Sequence, residues 1–151
     1  MSDGDHTMKP LYVLNGPNLN RLGTREPEIY GRTTLAEIER MCVEVAAGHP
    51  LRFHQSNAEH QLVDWVHEAI DEGAGIVINP AGLSFRSIPL LDALKMFPRP
   101  IIELHISNIH RREEIYQRSL VSTVATAVIA GLGPMGYRVA VNALIEMIEA
   151  K

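Results

Sequence analysis

The sequence predicts an α/β fold, a flavodoxin-like three-layer sandwich in which one five-stranded parallel sheet is covered by helices on both faces. Five short apolar runs alternate with segments of helical periodicity, and parallel neighbours need crossover connections of about a dozen residues or more, usually helices. The run Gly75–Asn79 shows no polar alternation, as a central strand buried on both faces requires. With 151 residues the chain has the length of one domain with one sizeable core. For five strands of this kind the expected order is 2-1-3-4-5. A single domain is expected over 11–151, behind a flexible tail over 1–10. That tail carries Asp3, Asp5 and His6 and lacks an apolar stretch, so it does not read as a secretory signal.

The elements follow in order. An apolar strand at 11–14 runs into a long irregular segment, 15–31, whose two prolines and three glycines can neither extend a strand nor sit inside a helix. Thr34 and Glu37 make a capping-box pattern, followed by Leu35, Ile38, Cys42 and Val45 at helical spacing until Gly48 and Pro50. A strand is expected at 51–56. Ser56 and Glu59 repeat the capping-box spacing, and Leu62, Trp65, Val66, Ala69 and Ile70 form one helix face behind them. After Gly75–Asn79, residues 87–97 read as a helix with Pro89 tolerated in its first turn. A fourth strand is expected at 101–106, with Glu103 and His105 on the same face. Residues 107–116 read as a loop with one or two helical turns, 121–130 as a fifth strand, and the segment from Tyr137 to Ile148 as a last amphipathic helix.

Charge and composition narrow the partners. A formal charge of -4, a pI near 6.0 and scattered cations argue against nucleic acid and anionic membranes. No apolar run reaches the 18 or so residues of a membrane span. A small-molecule ligand fits better. The lone Cys42 falls on the apolar helix face, reads as a core thiol, and suits a reducing cytoplasm.

Several motifs in the sequence imply a specific chemistry. Gly131, Gly133 and Gly136 satisfy G-x-G-x-x-G, but the chain ends at Lys151 with no room for the strand and acidic residue that a dinucleotide site requires, so a tight turn with close helix packing is expected. His60, Asp64 and His67 share a helix face and are expected to be solvated, not metal ligands. No G-x-S-x-G elbow is present for a nucleophilic serine. The segment 15–31 holds Asn18, Arg25 and Tyr30. A cation near a phenol lowers its pKa from about 10, so Arg25 and Tyr30 can form an activated base. The other reading has Tyr30 packing the loop and Arg25 paired with Glu26 or Glu28. His105 and Asn79 fall at ends of other strands, where open parallel sheets bind ligands. A phenolic base, a histidine acid and amide side chains suit proton abstraction beside a carbonyl and loss of a protonated leaving group. The alternative is a core histidine bonded to Glu103.

These residues resemble a known family. The blocks Asn15-Gly-Pro-Asn-Leu-Asn-Arg-Leu-Gly-x-Arg-Glu-Pro-x-x-Tyr-Gly31, Gln55-Ser-Asn-x-Glu59, Asn79-Pro-x-Gly-Leu83, Ile102-Glu-x-His-Ile-Ser-Asn-Ile-His110, Arg112-Glu-Glu114 and Gly131-Leu-Gly-x-x-Gly-Tyr137 resemble type II 3-dehydroquinate dehydratases, in order and over nearly the whole chain after Pro10. The resemblance implies dehydration of 3-dehydroquinate to 3-dehydroshikimate without metal or cofactor, and a homododecamer built as four trimers. By it, Tyr30 is the base, Arg25 keeps it ionised, Asn18 holds the water that stabilises the enolate, and His105, oriented by Glu103, protonates the departing hydroxyl. Substrate binding falls to Asn79, Ile106, Ser107 and Arg112, and to Asp92, which reaches a neighbouring subunit's site. At two further substrate positions the chain departs from the family, with Phe85 for a histidine and Tyr116 for an arginine. Both departures lie at the end that reads ring hydroxyls, where Arg86, Arg111 or Arg118 could compensate. The alternative left open is a silent or substrate-altered homologue that binds a small carboxylate.

Overall fold

The computed structural model describes residues 8–24 and 26–150, without the side chains of Ile29 and Tyr30. Of the tail expected over 1–10, residues 1–7 lie outside the described residues; the Pro10 carbonyl already accepts from Ala74 N at 2.9 Å. The elements are β1 (Leu11–Asn15), the single turn α1 (Pro27–Tyr30), α2 (Leu35–Ala46), β2 (Leu51–Gln55), α3 (Glu59–Glu72), β3 (Gly75–Asn79), α4 (Ile88–Lys95), β4 (Ile101–His105), β5 (Ala127–Ala130) and α5 (Met135–Glu149). All strand pairs are parallel, and their order is β2-β1-β3-β4-β5. This is the expected sandwich.

Strand periodicity divides the core in two. Leu11, Val13, Val77, Ile102 and Leu104 face α2 and α5, whereas Tyr12, Leu14, Ile76, Ile78 and Ile101 face α3 and α4. The three central strands are buried along their whole length because both faces are covered. Helix α2 begins as its sequence dictates: Glu37 N donates to Thr34 Oγ1 at 3.2 Å and Thr34 N donates to Glu37 Oε1 at 3.0 Å.

Two expectations are corrected. The second capping box, Ser56 with Glu59, does not form, because α3 starts two residues later than that spacing needs, with Ala58 as its N-cap. Ser56 Oγ accepts from Ala58 N at 3.0 Å, and the Glu59 carboxylate instead accepts from Ser87 Oγ at 2.6 Å. Ser87 Oγ also accepts from Leu90 N at 3.1 Å, so one hydroxyl both caps α4 and ties it to α3. The run 121–130 is not one strand. Val121–Thr123 is a 3-10 turn that buries Val121 in the core, and pairing begins at Ala127 because β4 offers β5 only Ile102 to His105. The turn is closed by Thr126, whose N donates to Ile101 O at 2.7 Å and whose Oγ1 accepts from Ile101 N at 3.0 Å.

Glycines bring the loops together at the carboxyl edge of the sheet. Gly16 N donates to Asn79 O at 2.8 Å, and a Cβ on Gly16 would sit 2.4 Å from Pro80 O, so the loop after β1 can cross the end of β3 only without a side chain. Gly131 and Gly133 turn the chain with φ of 90° and 66°, and a Cβ on Gly136 would meet Leu104 Cδ1 at 2.8 Å. The three glycines thus make a tight turn and let α5 press against β4.

Below that edge lies a buried polar knot. Tyr137 OH donates to Asn15 Oδ1 at 2.6 Å and accepts from Asn79 Nδ2 at 2.9 Å, while Asn15 Nδ2 donates to His54 O at 3.0 Å. Burial pushes the Tyr137 phenol well above its usual range, so it stays a neutral donor. The knot joins α5 to the ends of β1 and β3. Tyr137→Phe keeps the ring's volume but strips Asn15 of a donor and Asn79 of an acceptor, a change worth about 2 kcal/mol. Urea unfolding should show that loss; a change within about 0.5 kcal/mol would mean that the knot adds nothing.

Candidate active site

A cleft of about 200 Å³ opens at the carboxyl ends of β1, β3 and β4. Its walls come from all three: Pro17, Asn18 and Leu19 after β1, Asn79, Ala81, Gly82 and Phe85 after β3, and His105, Ile106, Ser107, Ile109, Arg112 and Tyr116 from β4 onward. Asn18, Asn79 and His105 thus meet at three strand ends. The cleft lies where an open parallel sheet binds ligands.

Glu103 and His105 share a strand face, and His105 Nε2 lies 2.5 Å from Glu103 Oε2. Glu103 is completely buried and His105 nearly so. Burial works to raise the Glu103 carboxyl, but hydrogen bonds from His105 and Ser122, with the nearby Ser119 hydroxyl, outweigh it and hold the group below the usual carboxylate range. Ser122 Oγ donates to Glu103 Oε1 at 2.6 Å. Ser119 contributes through its dipole at short range, since its buried hydroxyl makes no hydrogen bond of good geometry. An ionised Glu103 binds Nε2–H, so the imidazole is held in one orientation with its other edge toward the cleft. His105 is thus not merely a satisfied core histidine, because it also lines the cavity.

The other groups are held from beneath. Asn18 adopts a left-handed conformation with φ of 72°, and its N donates to Asn57 Oδ1 at 2.8 Å. Gln55, at the end of β2, donates from Nε2 to Gly16 O and Asn57 Oδ1, each at 3.2 Å. Asn79 is oriented by Tyr137 on one side and by Ala81 N, which donates to its Oδ1 at 3.2 Å, on the other. The carbonyls of His105 and Ile106 accept from Gly131 N and Gly133 N, which fixes the backbone carrying Ser107.

Phe85 and Tyr116 form one end of the cleft. Phe85 lies nearly parallel to His105 with centroids 6.3 Å apart, Tyr116 meets Phe85 edge-on at 5.6 Å, and the Arg112 guanidinium lies 4.1 Å above the Tyr116 ring. Such pairs are attractive because the positive edge or cation meets a negative ring face. Arg86, Arg111 and Arg118 are exposed and do not line the cleft, so the arginine at this end is Arg112.

Some expected residues are not brought in. Asp92 stands on the exposed side of α4, 3.9 Å from Lys95, away from the cleft. Arg25 and the side chain of Tyr30 lie outside the described residues, although α1 carries the Tyr30 backbone. His60, Asp64 and His67 are solvent-exposed, and no metal-binding group of three or more acidic, histidine or cysteine side chains occurs among the described residues. Sequence reading missed Asn15, Tyr137 and Ser122. A signal existed for Asn15, which sits in register with Asn79 at the end of an apolar strand; none existed for Ser122, hidden in a run read as a strand.

The comparisons with known proteins agree with one another. A family model described as dehydroquinase class II matches residues 9–145. The chain is 56% identical over 144 residues to 3-dehydroquinate dehydratase 2 of Agrobacterium fabrum, covering 94% of this chain and 98% of that one. It is 52% identical over 143 residues to 3-dehydroquinate dehydratase of Streptomyces avermitilis, covering 93% and 90%. Among solved structures, type II dehydroquinase from Propionibacterium acnes superposes with a TM-score of 0.88 at 43% identity, covering 93% of this chain and 99% of that one. With a family model, relatives and a fold that all agree over nearly its whole length, the chain belongs to the class II dehydroquinase family.

Proposed function

We propose that this chain is a hydro-lyase that dehydrates 3-dehydroquinate to 3-dehydroshikimate, with residues 11–151 as its single catalytic domain. The observation that carries this reading is the buried Glu103–His105 pair opening into the cleft that Asn18 and Asn79 also line. In the proposed sequence, Tyr30 as phenolate removes a proton from the carbon beside the ring ketone. The electron pair passes to the ketone oxygen as an enolate, which Asn18 stabilises through a water. The enolate then collapses, the carbon–oxygen bond to the leaving hydroxyl breaks, and His105 supplies the proton that makes it water. Asn79, Ile106 and Ser107 receive the carboxylate.

The hydroxyl-bearing side of the ring faces Phe85, Tyr116 and Arg112. Phe85 cannot hydrogen-bond to it, so the polar contact there passes to Arg112, held in place by lying on Tyr116. This favours an unchanged substrate read by a different arginine over a silent homologue. Asp92 serves no cleft of its own chain, and its exposed position suits a role at a neighbour's site in a cytoplasmic homododecamer. Sedimentation should then return about twelve chain masses; a monomer would remove Asp92 from the site.

Incubated with 3-dehydroquinate, the protein should develop the absorbance of the conjugated enone. Tyr30→Phe should lower turnover by about 10²- to 10⁴-fold, the range of a lost general base. Arg25→Ala should leave the phenol nearer its unperturbed value of about 10 and so move the basic rise of the rate profile to higher pH. Full activity of Tyr30→Phe would sink the assignment of the base. Tyr116→Ala should raise KM by about tenfold with kcat little changed, as expected when a contact made equally in ground and transition states is lost. A fall in kcat alone would place Arg112 elsewhere in the mechanism.

A further inference from the structure

The Glu103 carboxylate is a charge buried inside a central strand, and it is served from outside that strand by the segment that follows the cleft. Its register neighbours are Ile78 on β3 and Val128 on β5, both apolar. His105, on its own strand, is the titratable group that faces it, and Ser119 and Ser122 face it from the turn laid over β4. Glu103 thus has one oxygen for His105 Nε2 and the other for Ser122 Oγ, at 2.5 Å and 2.6 Å. An ionised buried carboxylate needs such donors, because without them it takes up a proton instead of the cost of desolvation. A protonated Glu103 would no longer be an acceptor at both oxygens, and the imidazole would lose the partner that fixes its orientation.

We infer that Ser122, supported by Ser119, is a positioning residue for the reaction: its hydroxyl keeps Glu103 ionised and so keeps His105 aimed at the leaving group. Ser122 does not line the cleft, and its hydroxyl donates to Glu103. Its effect passes entirely through the carboxylate. The direction of the Glu103 shift agrees, since the serine dipoles work with His105 against burial. A carboxyl whose pKa is depressed on folding stays ionised at pH values below its ordinary pKa and is protonated only as the pH falls through the lower, folded value; removing Ser122 brings that protonation to higher pH. The catalytic part of this inference rests on the dehydratase reading, whereas the electrostatic part does not.

The test uses Ser122→Ala, Ser122→Thr and Ser119→Ala in the full chain. Carbon NMR of the Glu103 carboxyl in the ligand-free protein reads its titration directly. The midpoint should rise in Ser122→Ala, rise less in Ser119→Ala, and return toward the parent in Ser122→Thr, which restores the hydroxyl. On 3-dehydroquinate, Ser122→Ala should lower kcat by about tenfold, the worth of one charge-assisted hydrogen bond, with KM within about twofold. The acidic limb of kcat should move to higher pH with the same ranking of variants. An unmoved Glu103 midpoint in Ser122→Ala overturns the inference, as does a moved midpoint with unchanged kcat. If the parent protein has no dehydratase activity, the dehydratase reading fails on that result, and the carboxyl titration still decides whether Ser122 holds Glu103 ionised.

Discussion

A wholly parallel sheet ends all its strands on one side, and that constraint governs where this molecule can keep polar groups. The strand interiors are committed to packing: Val13, Val77 and Ile102 against α2 and α5, Leu14, Ile78 and Ile101 against α3 and α4. Asn15, Asn79 and His105 all fall at last strand positions, where the sheet's ladder runs out and side chains must find other partners. Tyr137 answers the first two from α5, and the Gly131 to Gly136 turn lets α5 come close enough to do so. Turn, helix packing and amide orientation are therefore one device.

The molecule buries a phenol and a carboxylate and treats them oppositely. Tyr137, fully buried, has one amide oxygen to donate to and one amide N–H to accept, so burial keeps it neutral. Glu103 is equally buried but meets only donors, and it is held ionised. A charge in that position is costly to keep and orients the imidazole strongly. In a low-dielectric surround each such bond is stronger than in water.

Much of the fold was legible because local signals and burial agreed. The period of the α2 face, the capping box at Thr34 and the unalternated β3 each say the same thing at two levels. Legibility failed where tertiary partners overrode local chemistry. Glu59 had the right spacing for a capping box, but its carboxylate goes to Ser87 of a distant segment. The β-branched stretch after Leu120 had strand propensity, yet Val121 gains more by entering the core and β4 has no free edge left for it. In the site, residues at strand ends could be read from periodicity, whereas Ser122 and Tyr137 act across sequence separations of 19 and 58 that no local pattern encodes.

The aromatic end of the cleft follows from the same logic of partners. Phe85 lies alongside the nearly buried His105 in the wall of the cleft, while the other side of the imidazole is tied to Glu103. With so little of the imidazole exposed, the field of Glu103 on it is weakly screened. Tyr116 seats against Phe85, and its ring carries Arg112. A guanidinium held over a ring is already localised, whereas an arginine reaching freely through solvent would have to be ordered at an entropic cost. The column from imidazole to guanidinium therefore joins the residue proposed as the acid to the one proposed to read the far side of the ligand, and displacing Phe85 would disturb both ends at once.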